Sequence, residues 1–141
     1  MTRRRVHHRR GGAILELALF APWIFFLFVG ALDWGFYAYS LITLETATRS
    51  AALYESGLGT PTTSSACPIV MNEMSTLINM GSASATCGSA PLVVTASQIT
   101  GPDNTPSAQV SVTYTTPVMI PIPGLLAKQF TITRVVTMKM G

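Results

Sequence analysis

The chain has 141 residues, 48% of them hydrophobic and only 11% charged. That leaves room for one small domain beside an apolar anchor and excludes a large enzyme. The net charge of +3 is unevenly spread: Arg3, Arg4, Arg5, Arg9 and Arg10 lie in the first eleven residues, and beyond them four basic side chains face six acidic ones, a net of −2.

Residues 1–11 are basic, polar and without periodicity. An arginine run can bind nucleic acid by releasing counterions from phosphate. Here no aromatic residue interleaves the run and an apolar span follows at once, so no nucleic-acid partner is expected. An arginine-rich flank before such a span instead holds the amino terminus in the cytoplasm.

Gly12 to Leu32 supplies 21 residues, enough at ~1.5 Å per residue to cross a hydrocarbon core of about 30 Å. Glu16 is its one charged side chain. A lone acid in hydrocarbon costs roughly 2.5 to 3.5 kcal/mol at mid-membrane and less near an interface. Glu16 therefore needs a partner, or it sits at the inner interface, reaching for headgroups or favouring its own helix terminus. Pro22 removes one backbone hydrogen bond, which predicts a local kink. Trp34, Tyr37 and Tyr39 cluster at the far end, where amphipathic rings favour the membrane interface.

The span is read as residues 12–34, and its helical pattern continues through 35–56 without a stop signal. Leu41, Leu44, Ala47, Thr48, Ala51 and Ala52 recur at three- and four-residue spacing. Glu45 precedes Arg49 by four, the favoured order for a surface pair. Gly57 and Gly59-Thr60-Pro61 end the helix. A globular region spans residues 57–141, opening with a Ser/Thr/Pro linker to Ala66. Residues 67–80 read as a short amphipathic helix with Val70, Met74, Leu77 and Ile78 on one face.

Residues 81–91 read as a loop. The period then changes to that of strands near 92–99, 109–116 and 129–138, separated by turn chemistry at Gly101-Pro102-Asp103-Asn104 and by a proline-stiffened connection from Pro117 to Gly124. The fold expected is α+β: a long amino-terminal helix, first transmembrane and then exported, packed with a short helix and a small, mainly antiparallel sheet.

Cys67 and Cys87 fall on the exported side under this topology. They form a disulfide or remain two buried thiols, and an oxidising compartment favours the first. With no histidine beyond His8, they cannot complete a four-ligand zinc site. No phosphate-cradling glycine loop, nucleophile elbow or metal-spaced set occurs, and the scattered acids lack a base partner. No catalytic residue, metal or cofactor is expected. The chain reads as a structural or interaction protein.

Gly11-Gly12-Ala13-Ile14-Leu15-Glu16-Leu17-Ala18-Leu19, then Pro22, then Gly30-Ala31-Leu32-Asp33-Trp34-Gly35, with Ala47, Arg49, Ala51 and Ala52 downstream, resembles the TadE/TadF-like pseudopilins of the tight-adherence, Flp-type branch of type IV pilus systems. The resemblance covers roughly residues 8–56. It departs from the major Flp pilins, which usually have tyrosine after the glutamate and are much shorter; Leu17 and the long exported region point to a minor pilin or pseudopilin.

The resemblance implies a type IV pilin-like fold and cutting by a membrane prepilin peptidase between Gly11 and Gly12, which makes Glu16 the fifth residue of the mature chain. It also implies that Glu16 pairs with the new terminal amine of a neighbouring subunit. Implied partners are other pilin subunits, the peptidase, an inner-membrane assembly platform and, before assembly, lipid. The implied location is the bacterial inner membrane, then a periplasmic or extracellular filament. Two other readings are an uncleaved single-span protein with an envelope-binding domain, and a secretory signal peptide cut near Gly30 and Ala31.

Overall fold

The computed structural model describes residues 12–117 and 129–141. The basic stretch through Gly11, and the part of the proline-rich connection that holds Pro121 and Pro123, lie outside the described residues. The elements are α1 (Gly12–Leu58), α2 (Thr63–Glu73), a short 3-10 turn (Met80–Ser82), and strands β1 (Gly88–Ser89), β2 (Leu92–Thr100), β3 (Pro106–Thr115) and β4 (Thr131–Lys139). Together they form the α+β, pilin-like arrangement that the sequence predicts. Two compact units divide the chain after Gly35.

In the first unit the helix is apolar almost without interruption, and its large side chains have little to pack on. Leu15 and Leu27 are each 73% exposed and Phe28 is 62% exposed. Helix formation satisfies its backbone internally. It leaves most of the large side chains exposed.

The second unit has a core. From α1 it takes Leu44, Ala47, Ala51 and Ala52; from α2 Ala66, Cys67 and Val70; from the sheet Leu92, Val94, Val110, Val112, Tyr114 and Ile132. The helical positions recur at three and four, the strand positions at two, so each element turns a single face inward. Alanines at the centre of the α1 stripe keep the helix surface low, and all three are wholly buried. Buried hydroxyls on this stripe are satisfied within the helix: Thr48 Oγ1 donates to the Leu44 carbonyl at 2.7 Å and Ser40 Oγ to the Phe36 carbonyl at 2.9 Å. Glu55, also fully buried, accepts from the Thr62 N–H through Oε2 at 2.8 Å, which fixes the turn from α1 into α2.

The strands are antiparallel in the order β1-β2-β3-β4. Leu92, Tyr114 and Ile132 lie side by side across β2, β3 and β4, as do Val94, Val112 and Arg134. These rows face the helices. The opposite face carries hydroxyls, with Thr113 and Thr133 hydrogen-bonded at 2.9 Å. In the β2–β3 turn, Gly101 N–H donates to the Thr105 carbonyl at 2.8 Å and Asn104 adopts φ 56°. A Cβ on Gly101 would meet Ser107 Oγ at 2.5 Å, so a larger residue there must displace that hydroxyl.

Two sequence expectations need correction. The short helix, expected at 67–80, is α2 at Thr63–Glu73. Its start is earlier because Thr62 Oγ1 accepts from the Ser65 N–H at 3.3 Å: the Ser/Thr run that reads as linker is N-cap chemistry. Its end is earlier because, after a last α-type bond from Met74 N–H to Val70 O at 3.0 Å, the chain passes into tighter turns, with Ser75 N–H to Asn72 O at 3.3 Å and Leu77 N–H to Met74 O at 2.9 Å. These turns keep Met74, Leu77 and Met80 buried, which prolongs the apolar period beyond the helix, but they leave Ile78 48% exposed rather than on the buried face. The region 81–91, expected as a loop, contributes β1, a fourth strand of two residues. It is too short to show a period of its own.

A disulfide joins Cys67 of α2 to Cys87, which precedes β1. Both residues are almost wholly inaccessible. Cys87 also accepts the Val94 N–H at 2.9 Å through its carbonyl, so the bridge ties α2 to the sheet. Serine at both positions is expected to lower unfolding stability by about 3 kcal/mol, from a loop of roughly 20 residues in the chain-entropy model; denaturant melts of the double variant check this.

Tyr114 is fully buried, and its hydroxyl donates to the Ile78 carbonyl at 2.7 Å. Desolvation raises its pKa above the ordinary value of about 10. The folded state then holds this proton more tightly than the unfolded state, so the contribution is complete below about pH 10 and is lost as pH rises through the raised folded value. Tyr114→Phe is expected to cost about 1 kcal/mol at neutral pH and to flatten that alkaline loss, measured as urea midpoints against pH.

Candidate functional site

Gly12 opens α1, and nothing lies within 4 Å of where a Cβ on it would stand. Glu16 follows one helical turn later and is exposed. Around it Ile14, Leu15, Leu17 and Leu19 are 65–73% exposed. The acid therefore stands on an apolar surface as its sole charge from Gly12 to Leu32. The helix is long and apolar enough to cross a membrane by length and composition, and helices with this composition insert when the surrounding medium is lipid. Gly11, the other half of the expected cleavage site, lies outside the described residues.

Pro22 sits inside α1, and the helix is continuous from Gly12 to Leu58. Proline has no N–H to give the Ala18 carbonyl, so one rung of the helical ladder is missing there without ending the helix. The three aromatic residues expected at a membrane interface divide. Trp34 is 71% exposed. Tyr37 packs against the core of the second unit, its ring centroid 5.5 Å from that of Phe130, and the Tyr39 hydroxyl shares a hydrogen bond with Thr76 Oγ1 at 2.9 Å. The neighbours of Tyr37 and Tyr39 are ones that sequence spacing does not reveal, because Phe130 and Thr76 are distant along the chain.

Among the described residues no group of three or more histidine, cysteine or acidic side chains could hold a metal ion. The second unit does carry a polar feature that the sequence reading missed. Glu45 and Arg49 of α1, ion-paired at 2.7 Å, line a groove of about 640 Å³ together with residues 134–138 of β4. The pair itself was legible as an acid four residues before a base. Arg134 beside it was not, although its even-numbered phase with Ile132 and Val136 marks it as facing the helix side.

Residues 11–53 match the family model described as TadE-like protein. Over this segment the chain is similar to that family. The match takes in Gly12, Glu16, Pro22 and the stripe Leu44, Ala47, Ala51 and Ala52, and it stops before α2 and the sheet. The TadE-like family is a structural pilus component rather than an enzyme family, and the match suggests a Tad pilus-related component with an amino-terminal membrane helix. No curated protein and no solved structure matches the chain.

Proposed function

We propose that this chain is a pilin or pseudopilin subunit of a Tad/Flp-type pilus or a related envelope machine, cut between Gly11 and Gly12 by a prepilin peptidase and assembled through the apolar part of α1. The observation that carries the reading is Glu16, a lone exposed acid near the start of a helix whose large apolar side chains are mostly exposed. Before assembly the helix lies in the inner membrane with its amino terminus cytoplasmic, and exposed Trp34 serves at the outer interface. After cutting, the arginines no longer hold that terminus in the cytoplasm. In the growing filament, helices exchange lipid contacts for contacts with one another.

The cut exposes an amine on Gly12. Two unit charges attract far more strongly in an apolar surrounding than in water, but each also loses its hydration there. A carboxylate and an amine that enter the filament core together offset one another; either one alone is strongly unfavourable. Glu16 therefore selects a neighbour whose amine stands at the matching height, which sets subunit stagger. The supporting features are the glycine pair, the arginine flank and the TadE-like match over residues 11–53.

Intact mass of the protein purified from membranes or sheared filaments is expected to begin at Gly12. A chain that retains Arg3 to Arg10 would sink the processing claim and favour the uncleaved single-span anchor. Glu16→Ala is expected to insert and be processed normally while its incorporation into filaments falls by about a hundredfold, the cost of leaving one buried charge unpaired. Quantitative immunoblotting of sheared and membrane fractions measures this, and wild-type incorporation would count against the pairing.

A further inference from the structure

We infer that the outer edge of β4, with the groove beside it, is a docking site for an extended acidic segment of another protein, which adds to the sheet as a fifth strand. In the order β1-β2-β3-β4, no described strand pairs with the far side of β4. The hydrogen bonds at the two ends of the β3–β4 ladder fix which of its backbone groups are unused. Thr116 N–H donates to Phe130 O at 2.9 Å and Met140 N–H to Pro106 O at 3.0 Å. Bonded pairs alternate in an antiparallel ladder, so the even-numbered residues from 130 to 140 spend their backbone groups on β3. Those of Thr131, Thr133, Val135, Thr137 and Lys139 point outward, a nine-residue template for strand addition.

The side chains beside this edge specify what may add to it. Arg134 lies in a row with Val94 and Val112, which are 1% and 0% exposed, yet it is itself exposed at the groove. Arg49 is matched by Glu45 at 2.7 Å. Arg134 has no ion-pair partner among the described residues, so the groove has one uncompensated positive charge. A cation on the inward phase of an edge strand deters neutral strands from pairing there. For a strand that brings a carboxylate, the same cation becomes an attraction and fixes register.

A second copy does not meet this requirement through its own strands, because β2, β3 and β4 contain no aspartate or glutamate. Pairing β4 with another β4 would deliver more positive charge, from Arg134 and Lys139, and no acid. The complementary occupant is therefore an acidic strand from a different polypeptide. This site lies within the second unit and does not depend on how the amino terminus is processed.

The test uses the full chain in detergent with three synthetic nine-residue peptides of alternating valine and threonine, whose central residue is glutamate, glutamine or lysine. The glutamate peptide is expected to slow hydrogen exchange at the amides of Thr133, Val135 and Thr137 and to bind about fivefold more tightly than the lysine peptide. Arg134→Glu should reverse that order. Val135→Pro removes an outward N–H at an edge position where proline is tolerated, and should abolish binding while β3 amides stay protected. Absence of protection on β4, equal binding of all three peptides, or self-association that Val135→Pro abolishes would each overturn the proposal, the last by giving the edge to a second copy.

Discussion

Burial of Leu44, Ala47, Ala51 and Ala52 of α1 in one apolar cluster with the sheet is the interaction on which the second unit depends. The sheet has one apolar face, and a face of Leu92, Val94, Val110, Val112, Tyr114 and Ile132 must be covered for the strands to persist in water. Alanine is suited to this position because it is the strongest helix former and adds no bulk at the contact. α2 covers more of the same face. Its attachment is secured at several points that differ in chemistry: Glu55 to the Thr62 N–H, Thr63 Oγ1 to the Ala96 N–H, and the Cys67–Cys87 bridge.

The same helix obeys another rule in the first unit. There the apolar side chains are not confined to a stripe, and they are largely exposed. A helix that is apolar all round belongs in a membrane or in the midst of other apolar helices. Both settings are consistent with a Tad pilus-related component that has a membrane helix. In either setting a single carboxylate has more consequence than any charge on the second unit's surface, since it cannot be hydrated without cost. Glu45 and Arg49, exposed in water, form a pair of small energetic weight. Glu16 carries the same charge, and in an apolar medium such a charge has a very different effect.

The sheet's two faces and its β4 edge divide the remaining roles. The helix-side face supplies the core, the opposite face is rich in threonine and serine, and no described strand takes up the side of β4 away from β3. Arg134 connects the core side with the edge. Its alternation places it among core residues, while its position on the last strand lets its charge reach the groove.

The sequence by itself determined the period of each long element, the place of the charges and the chemistry that is absent. Those are local properties: an apolar run from Gly12, small residues at helical spacing through Ala52, and Val110, Val112 and Tyr114 alternating with Ser111 and Thr113. It also placed the β2–β3 turn, because Gly101 to Asn104 carries turn chemistry in its own residue types. Only the tertiary structure decided that the Ser/Thr run after Pro61 begins α2, since a threonine acts as an N-cap only when a helix forms behind it. The tertiary structure likewise decided the fourth strand, which exists through its pairing with β2, and the neighbours of Tyr37, Tyr39, Glu55 and Arg134. Each of these depends on groups brought together by chain reversal, and periodicity along one segment holds no record of which other segment will lie beside it.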